Sequence, residues 1–155
     1  YGEGSMLGKV QWEWLANELQ NSKASFNIIV SSIQFLSSEH GYESWGNMPH
    51  ERDKLVNIIK STKAKNTIIL SGDRHLSEFS KKEENGLAYP LIDFTSSGLT
   101  HSYSNFQGEP NKFRVGKVVF EKSFGILKFN FLKNKVTLQM RGENNVLQQE
   151  LIHQY

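Results

Sequence analysis

The chain has 155 residues, a length that suits one domain or a large part of one. Its share of hydrophobic residues (37%) and aromatic residues (12%) excludes a disordered chain. The formal net charge is +2 and the charges are interspersed, so no basic stripe for nucleic acid is present. The absence of cysteine excludes disulfides and a cysteine nucleophile. No apolar run in the sequence reaches the length of a membrane span.

The first part of the chain alternates helical patterns with short apolar runs. After a glycine-rich loop at 1–8, Trp12, Leu15 and Leu19 recur at helical spacing, and Trp14 beside them is expected to contact a sheet. Helices are predicted at 9–20 and 50–61, and buried strands at 26–32, 66–70 and 89–95. This alternation predicts βαβ units and a largely parallel sheet, whose functional groups gather at the carboxyl ends of the strands.

The C-terminal part changes to alternating apolar and polar residues. Leu127, Phe129 and Phe131 alternate with Lys128 and Asn130, and a similar alternation follows a short turn. Strands are predicted at 125–132, 136–141 and 146–152. The pattern is typical of an antiparallel meander with one face in water.

The sharpest chemical feature is Gly72-Asp73-Arg74-His75, directly after a predicted buried strand. The glycine permits a tight turn, and Asp73 and His75 are close enough for one turn to direct both at one point. Carboxylate and imidazole groups are suitable ligands for Fe, Mn or Zn. The alternative is an aspartate that caps the next turn beside a packed histidine. The spacing alone favours neither, because D-x-H is a short pattern.

Four stretches in order resemble motifs of the alkaline phosphatase D-like enzymes, which belong to the calcineurin-like metallophosphoesterases. They are Met6–Leu15 (M-L-G-x-x-Q-x-x-W-L), Trp45–Leu55 (W-D-x-Y-P-x-E-R-x-x-L in the family), Ser71–His75 (S-G-D-x-H) and Asp93–Leu99, which contains S-S-G. The strands from Phe124 onward resemble the closing strands of the family. Gly46 and Met48 depart from the second motif, where the family has Asp and Tyr. The resemblance spans nearly the whole chain.

The resemblance implies both a fold and a chemistry. The fold is α/β, part of a calcineurin-like αββα sandwich with a mixed sheet, βαβ units first and an antiparallel meander at the C-terminus. The chemistry is hydrolysis of a phosphate ester at two metal ions (Fe, Mn, Zn or Ca). In this family pattern Asp73 and His75 are metal ligands and catalytic residues. Two ions about 3.5–4 Å apart clamp a phosphate and activate water.

Three further residues are candidates for substrate binding. Arg74 suits a phosphate oxyanion, and its alternative is a solvated loop residue. Trp45 lies in a loop expected to overhang the site, where it either stacks on a ligand or anchors the loop by packing. His101 follows S-S-G and either approaches the mouth of the site or is a surface histidine. Gln34 is expected to be a buried, hydrogen-bonded side chain rather than one that lines the site.

The metal-binding motifs of the family's N-terminal half, D-x-H, G-D-x-x-D and G-N-x, are absent from this sequence. Residues 1–155 are therefore interpreted as the C-terminal portion of one metallophosphoesterase domain, whose partner is the missing N-terminal half. Alone, such a chain is expected to be inactive, and family members are often exported. The alternatives are a non-catalytic α/β binding module of related fold and a piece whose exposed sheet face docks on a partner.

Overall fold

The computed structural model describes residues 3–155, so the first two residues of the predicted loop at 1–8 lie outside it. Within this range the chain forms two α-helices, α1 (Gly8–Asn21) and α2 (Pro49–Thr62). It also forms the strands β1 (Asn27–Val30), β2 (Thr67–Ser71), β3 (Ser77–Lys82), β4 (Leu91–Ser96), β5 (Arg114–Val119), β6 (Phe124–Asn130), β7 (Lys135–Arg141) and β8 (Leu147–Gln154). Every predicted helix and strand is present, with its ends shifted by no more than two residues.

The strands form two sheets. The first has five strands in the order β1-β2-β4-β3-β5, and the second has three in the order β6-β7-β8. β1, β2 and β4 run parallel, whereas β3 is antiparallel to both β4 and β5. The predicted mixed sheet and C-terminal antiparallel meander are therefore confirmed. The carboxyl ends of the three parallel strands, at Val30, Ser71 and Ser96, lie along one edge of the mixed sheet.

Two strands of the mixed sheet, β3 and β5, were not predicted. β3 reads Ser-Glu-Phe-Ser-Lys-Lys, and Ser77, Glu78 and Ser80 are all buried in it. β5 contains Gly116 in left-handed backbone with φ +76°. Polar residues are stable inside a sheet only when they find hydrogen-bond partners, and those partners lie far away in the sequence. The antiparallel half of the mixed sheet was therefore hidden in what looked like a polar loop.

The sheets pack face to face, and the helices cover the other face of the mixed sheet. The core between the sheets is formed by Phe26, Ile68, Phe79, Ile92, Phe94, Val119, Val136, Leu138 and Met140. The core beneath the helices contains Trp12, Leu19, Phe35, Leu55, Ile59, Ile69 and Leu91. Gly125 marks a close approach of the sheets, because a Cβ at this position would lie 2.8 Å from the Phe94 ring. The layers are therefore helices, mixed sheet and antiparallel sheet.

A buried carboxylate joins the segment before α1 to the first turn of α2. Oε2 of Glu51 accepts hydrogen bonds from the Trp12 indole N–H at 2.9 Å, the Met6 backbone N–H at 2.7 Å and the Ser5 hydroxyl at 2.9 Å. Burial opposes the charge of this carboxylate, but the three hydrogen bonds outweigh it and lower the pKa of Glu51. The two helices are thereby held together at one end.

The edge of the mixed sheet at β1 is apolar and exposed. Val30 is 78% exposed, and Trp14 on the adjoining helix is 56% exposed. The buried residues of α1 are Trp12 and Leu19, and Trp14 lines the same open groove as β1 while remaining largely exposed. An open groove of about 620 Å³ runs between α1 and β1. No helix within residues 3–155 is long and apolar enough to cross a membrane.

Candidate functional site

The turn after β2 has an unusual backbone. Asp73 (φ 73°) and His75 (φ 53°) both adopt the left-handed conformation, which non-glycine residues rarely enter. Within the turn the Arg74 N–H donates to the Gly72 carbonyl at 3.0 Å, and the Tyr103 N–H donates to the His75 carbonyl at 2.7 Å. A Cβ at Gly72 would lie 3.3 Å from the Ser32 carbonyl oxygen, so a glycine suits this position. The turn is thus held by the segments on either side of it.

The side chains of the turn alternate in direction. Asp73 and His75 are exposed, whereas Arg74 between them is buried. A carboxylate and an imidazole are therefore both exposed to solvent in this turn at the carboxyl end of β2. This is the edge where parallel sheets present functional groups. The structure places the turn that contains Asp73 and His75 directly after a parallel strand, as the sequence predicted, whereas their binding of a common metal stays a prediction.

Arg74 is not the solvated loop residue that one interpretation of the sequence suggested. It is 7% exposed, and its Nη2 donates to Oε1 of Glu109 at 2.7 Å. Its Nη1 donates to the amide oxygen of Gln34 at 3.4 Å, and its guanidinium lies 4.4 Å from the centroid of the Tyr42 ring. With these partners in place, the guanidinium is committed to the protein itself rather than presented to a phosphate.

The buried polar network continues below Arg74. Nε2 of Gln34 donates to Oε1 of Glu78 at 2.7 Å and to Oγ1 of Thr95 at 2.9 Å. Oε2 of Glu78 accepts from Nε of Arg114 at 2.7 Å. Gln34 is 1% exposed, so the expectation of a buried, hydrogen-bonded glutamine is confirmed. The network ties the β1–α2 connection to strands β3, β4 and β5.

A further buried carboxylate, Asp93, lies in the middle of β4. Oδ1 of Asp93 accepts from the Ser71 hydroxyl at 2.6 Å, and Oδ2 accepts from the backbone N–H groups of Phe35 and Leu36 at 2.8 and 2.9 Å. Burial raises the pKa of Asp93 to about 6, although these donors favour its charged form. Asp93 therefore anchors the chain after β1 to the strand that leads into the turn.

The structure separates the two remaining substrate-binding candidates. Trp45 is 4% exposed, packs edge-on against Trp12 and Phe35, and donates its indole N–H to the Ser31 hydroxyl at 2.9 Å. It anchors the loop, so the expectation that it binds substrate is not supported. His101 is exposed, and its ring centroid lies 6.0 Å from that of His75.

Aromatic residues form the rim beside the turn. An open depression of about 530 Å³ is lined by Tyr42, Glu43, Asp73, Arg74, His75, Ser102 and Tyr103. Hydrogen bonding with the hydroxyl of Tyr42 raises the pKa of Tyr103. The two tyrosines belong to the β1–α2 and β4–β5 connections, which therefore meet at this rim.

The set of possible metal ligands in this chain is incomplete. Across the described range, 3–155, no three His, Asp or Glu side chains converge as a metal site requires. Asp73 and His75 have suitable ligand chemistry, but a binuclear centre needs more oxygen and nitrogen donors than these two. The chain fits such a centre only as the contributor of part of its ligands.

Sequence reasoning missed Tyr42, Glu78, Tyr103 and Glu109, which surround the turn. None of them has a local pattern that distinguishes it. Tyr42 lies in the β1–α2 connection, Glu78 lies in β3, and Tyr103 and Glu109 both lie in the β4–β5 connection. Asp93 lies inside one of the recognised motifs, which was the only signal available for it.

The chain is similar to known proteins in both sequence and structure. A family model described as PhoD-like phosphatase matches residues 2–142. Alkaline phosphatase D of Bacillus subtilis (strain 168) is 35% identical over 81 residues, which covers 47% of this chain and 14% of that protein. A solved structure of PhoD matches with a TM-score of 0.72 at 21% identity, covering 98% of this chain and 33% of that one. The chain thus spans a minor part of the length of these relatives.

The helix layer, the mixed sheet and the antiparallel sheet define a layered α/β fold like that of the PhoD structure, with an aspartate–histidine turn at the end of a parallel strand. The likeness to the solved structure extends over the whole described fold. The chain belongs to the PhoD-like phosphatase family, whose model matches nearly all of it.

Proposed function

We propose that this chain supplies part of the active site of a metal-dependent phosphoesterase, with Asp73 and His75 as catalytic metal ligands. The observation that carries the proposal is the turn after β2, where a carboxylate and an imidazole are exposed and line one open depression. Two metal ions, when bound, supply charge neutralisation and an activated water. Fe, Mn, Zn and Ca all accept oxygen ligands, and imidazole favours the first three.

The substrate we propose is a phosphate ester bound above the turn. The depression beside Asp73 and His75 opens to solvent, so an ester can reach both side chains. His101 is exposed beside His75, from where its imidazole can donate a hydrogen bond to a phosphate oxygen. Trp45 has no part in this proposal because its ring is buried in the helix layer.

We further propose that residues 1–155 are the C-terminal portion of one metallophosphoesterase domain. Supporting this, the chain covers 33% of the PhoD structure that it matches. The apolar groove between α1 and β1 also lies open, with Trp14 and Val30 exposed. An exposed apolar edge strand favours pairing with further chain. The partner of this face would be the N-terminal half of the same domain, and that half would supply the remaining metal ligands.

Two consequences belong to the same proposal. With a partial ligand set, the isolated chain has little or no phosphatase activity of its own. An exported location is proposed from the family resemblance, since family members are often exported. Neither consequence depends on the identity of the ester.

Metal content tests the site directly. The purified chain and an Asp73→Ala/His75→Ala variant are compared by elemental analysis after equilibrium dialysis against an excess of Fe, Mn, Zn or Ca, so that weakly bound ions are also counted. The matched control is a His50→Ala/Asp53→Ala variant, which removes the same residue types from α2, away from the turn. The expected result is weak binding, because the described residues hold only part of the ligand set, with more metal bound by the chain and the control than by the Asp73/His75 variant.

Equal metal retention in all three proteins would contradict the assignment of Asp73 and His75. A well-folded chain that binds no metal even in excess would show that Asp73 and His75 cannot hold an ion without further ligands, and would favour the alternative function, a non-catalytic α/β module, for this chain alone. The observation behind that alternative is the incomplete ligand set within residues 3–155. Turnover of a chromogenic phosphodiester by the isolated chain would contradict the expected inactivity.

A further inference from the structure

We infer that Arg74 is a positioning residue, which through its ion pair with Glu109 holds Asp73 and His75 outward and fastens two loops beside them. The inference deepens the proposed function, because it concerns the same turn. Arg74 is thereby assigned a role beneath the site rather than contact with the phosphate.

Arg74 is the point where three separate segments meet. Its partners Gln34 and Tyr42 belong to the connection between β1 and α2, whereas Glu109 belongs to the connection between β4 and β5. Arg74 itself lies in the turn between β2 and β3. A planar guanidinium can use its nitrogens for two acceptors while its face stacks on an aromatic ring, which an ammonium group cannot do.

The backbone of the turn explains why such a fastening is needed. Left-handed backbone costs energy at Asp73 and His75, because both have a Cβ. Such conformations persist when surrounding contacts over-determine them. The buried Arg74 side chain pulls the middle of the turn inward, and its two neighbours are directed outward as a result. The Tyr103 N–H completes the restraint by donating to the His75 carbonyl at 2.7 Å.

The hydrogen-bond acceptor that Gln34 offers to Arg74 is oriented by other contacts of the network. The amide nitrogen of Gln34 donates to Glu78 and Thr95, so the amide oxygen of Gln34 is left facing Arg74. Arg114 in turn neutralises the charge of Glu78 at 2.7 Å. Within residues 3–155, Glu109 is the one hydrogen-bonded member of this network that lies in the β4–β5 connection. The Arg74–Glu109 ion pair therefore links the network to that connection.

Other contacts join the same two connections near the rim. Glu39 in the β1–α2 connection accepts from the backbone N–H of Lys112 at 2.9 Å, and its Oε1 lies 3.4 Å from the Lys112 ammonium. The side chains of Glu39 and Lys112 are largely in solvent, so their ion pair contributes little to holding the two connections together. The Arg74–Glu109 pair is more buried, with side chains 5% and 13% exposed, and we assign it the main share of the coupling.

The test uses the exchange rate of the Tyr103 amide, measured by NMR after transfer to deuterated water. The first variant is Glu109→Gln, which removes the carboxylate charge and keeps nearly the same shape. The second is Arg74→Lys, which keeps the positive charge and removes the planar guanidinium with its several N–H donors. The matched control is Glu84→Gln, since Glu84 is 14% exposed and pairs with Lys60 at 2.9 Å far from the turn. The Leu138 amide in β7 reports any change in global stability.

The expected result is exchange of the Tyr103 amide about tenfold faster in both Arg74→Lys and Glu109→Gln, relative to the Leu138 amide, and unchanged in Glu84→Gln. A second readout is broadening of the His75 ring signals by Mn²⁺, expected to need several times more Mn²⁺ in the same two variants. Unchanged Tyr103 exchange in both variants would overturn the inference. Equal acceleration at Tyr103 and Leu138 would also overturn it, because the pair would then serve stability alone.

The two proposals fail in different ways. If Mn²⁺ leaves the His75 signals of the unaltered chain unchanged, the metal function of the turn fails, while the Tyr103 exchange still decides the role of Arg74. If Glu109→Gln does not fold, Arg74→Lys retains the buried charge and carries the test by itself. Normal Tyr103 exchange in a folded Arg74→Lys variant then counts against the inference.

Discussion

Replacing Glu51 by alanine is expected to destabilise the fold strongly, although Glu51 lies outside the proposed site. Its Oε2 is the acceptor for the Trp12 indole and the Met6 backbone N–H, and Glu51 itself is 4% exposed. Alanine leaves both donors without a partner, at about 1–3 kcal/mol for each buried donor. Ser5 is exposed and its hydroxyl can turn to water. The expected loss in the free energy of unfolding is therefore about 2–6 kcal/mol.

Glu51→Gln separates the role of the charge from that of the shape. Glutamine keeps one acceptor oxygen and nearly the same volume, so the expected loss is smaller, about 1 kcal/mol, for the change from charged to neutral hydrogen bonds. The control is Glu13→Ala on the exposed face of α1, where the only ion pair joins two solvent-exposed side chains at 3.8 Å. That change is expected to have no measurable effect.

The assay is urea unfolding followed by tryptophan fluorescence, because Trp12 and Trp45 are buried and report on the helix layer. The pKa of Glu51 is lowered in the fold, so its charge contributes stability above the ordinary value of 4.5. That contribution is lost as the pH falls through the lower folded pKa. The advantage of the unaltered chain over Glu51→Gln should therefore shrink on acidification below pH 4.5. An unchanged urea midpoint in Glu51→Ala would refute the reasoning.

Three further changes are predicted. Asp93→Asn should gain stability relative to the unaltered chain as the pH rises from 3.8 to about 6, because burial raises the folded pKa of Asp93 from 3.8 to about 6. The gain should reach about 3 kcal/mol and stay constant at higher pH. Paired urea titrations at pH 4 and pH 7 measure it, and a constant difference would contradict it. Gly125→Ala should lose about 1–3 kcal/mol by collision with Phe94, whereas Gly4→Ala, with ordinary contact at 3.6 Å, should not; equal midpoints would contradict this. Val30→Asp should reduce concentration-dependent self-association, measured by sedimentation, without loss of stability, because Val30 is 78% exposed on an edge strand. Unchanged association would count against a role of this edge strand in self-association.

The parts of the fold that the sequence predicted are those whose residues repeat with one clear period. Helix α1 shows Trp12 and Leu19 at helical spacing, and the C-terminal strands alternate apolar with polar residues. Such patterns follow from the side chains of one element meeting one core. β3 has no such pattern, because Ser77 and Ser80 are buried by partners on other strands and loops.

The candidate site divides in the same way. The turn itself was predictable, since Gly72, Asp73 and His75 lie within four residues of sequence. Its support was not, because Arg74 is separated from Glu109 by 35 positions and looks like an ordinary solvated arginine. A charge that is buried by a distant opposite charge leaves no local trace in the sequence.

The recognised motifs differ in what they contribute. Met6 and Glu51 belong to two different motifs and are joined by a hydrogen bond that helps to hold the helix layer together. These two motifs therefore support the fold. Trp14 belongs to the same motif as Met6, but its side chain is 56% exposed. A large apolar side chain in that position is best explained by a further surface that covers it. The phosphoesterase proposal thus rests on Asp73 and His75, while the proposal of a larger domain rests on the apolar edge at α1 and β1.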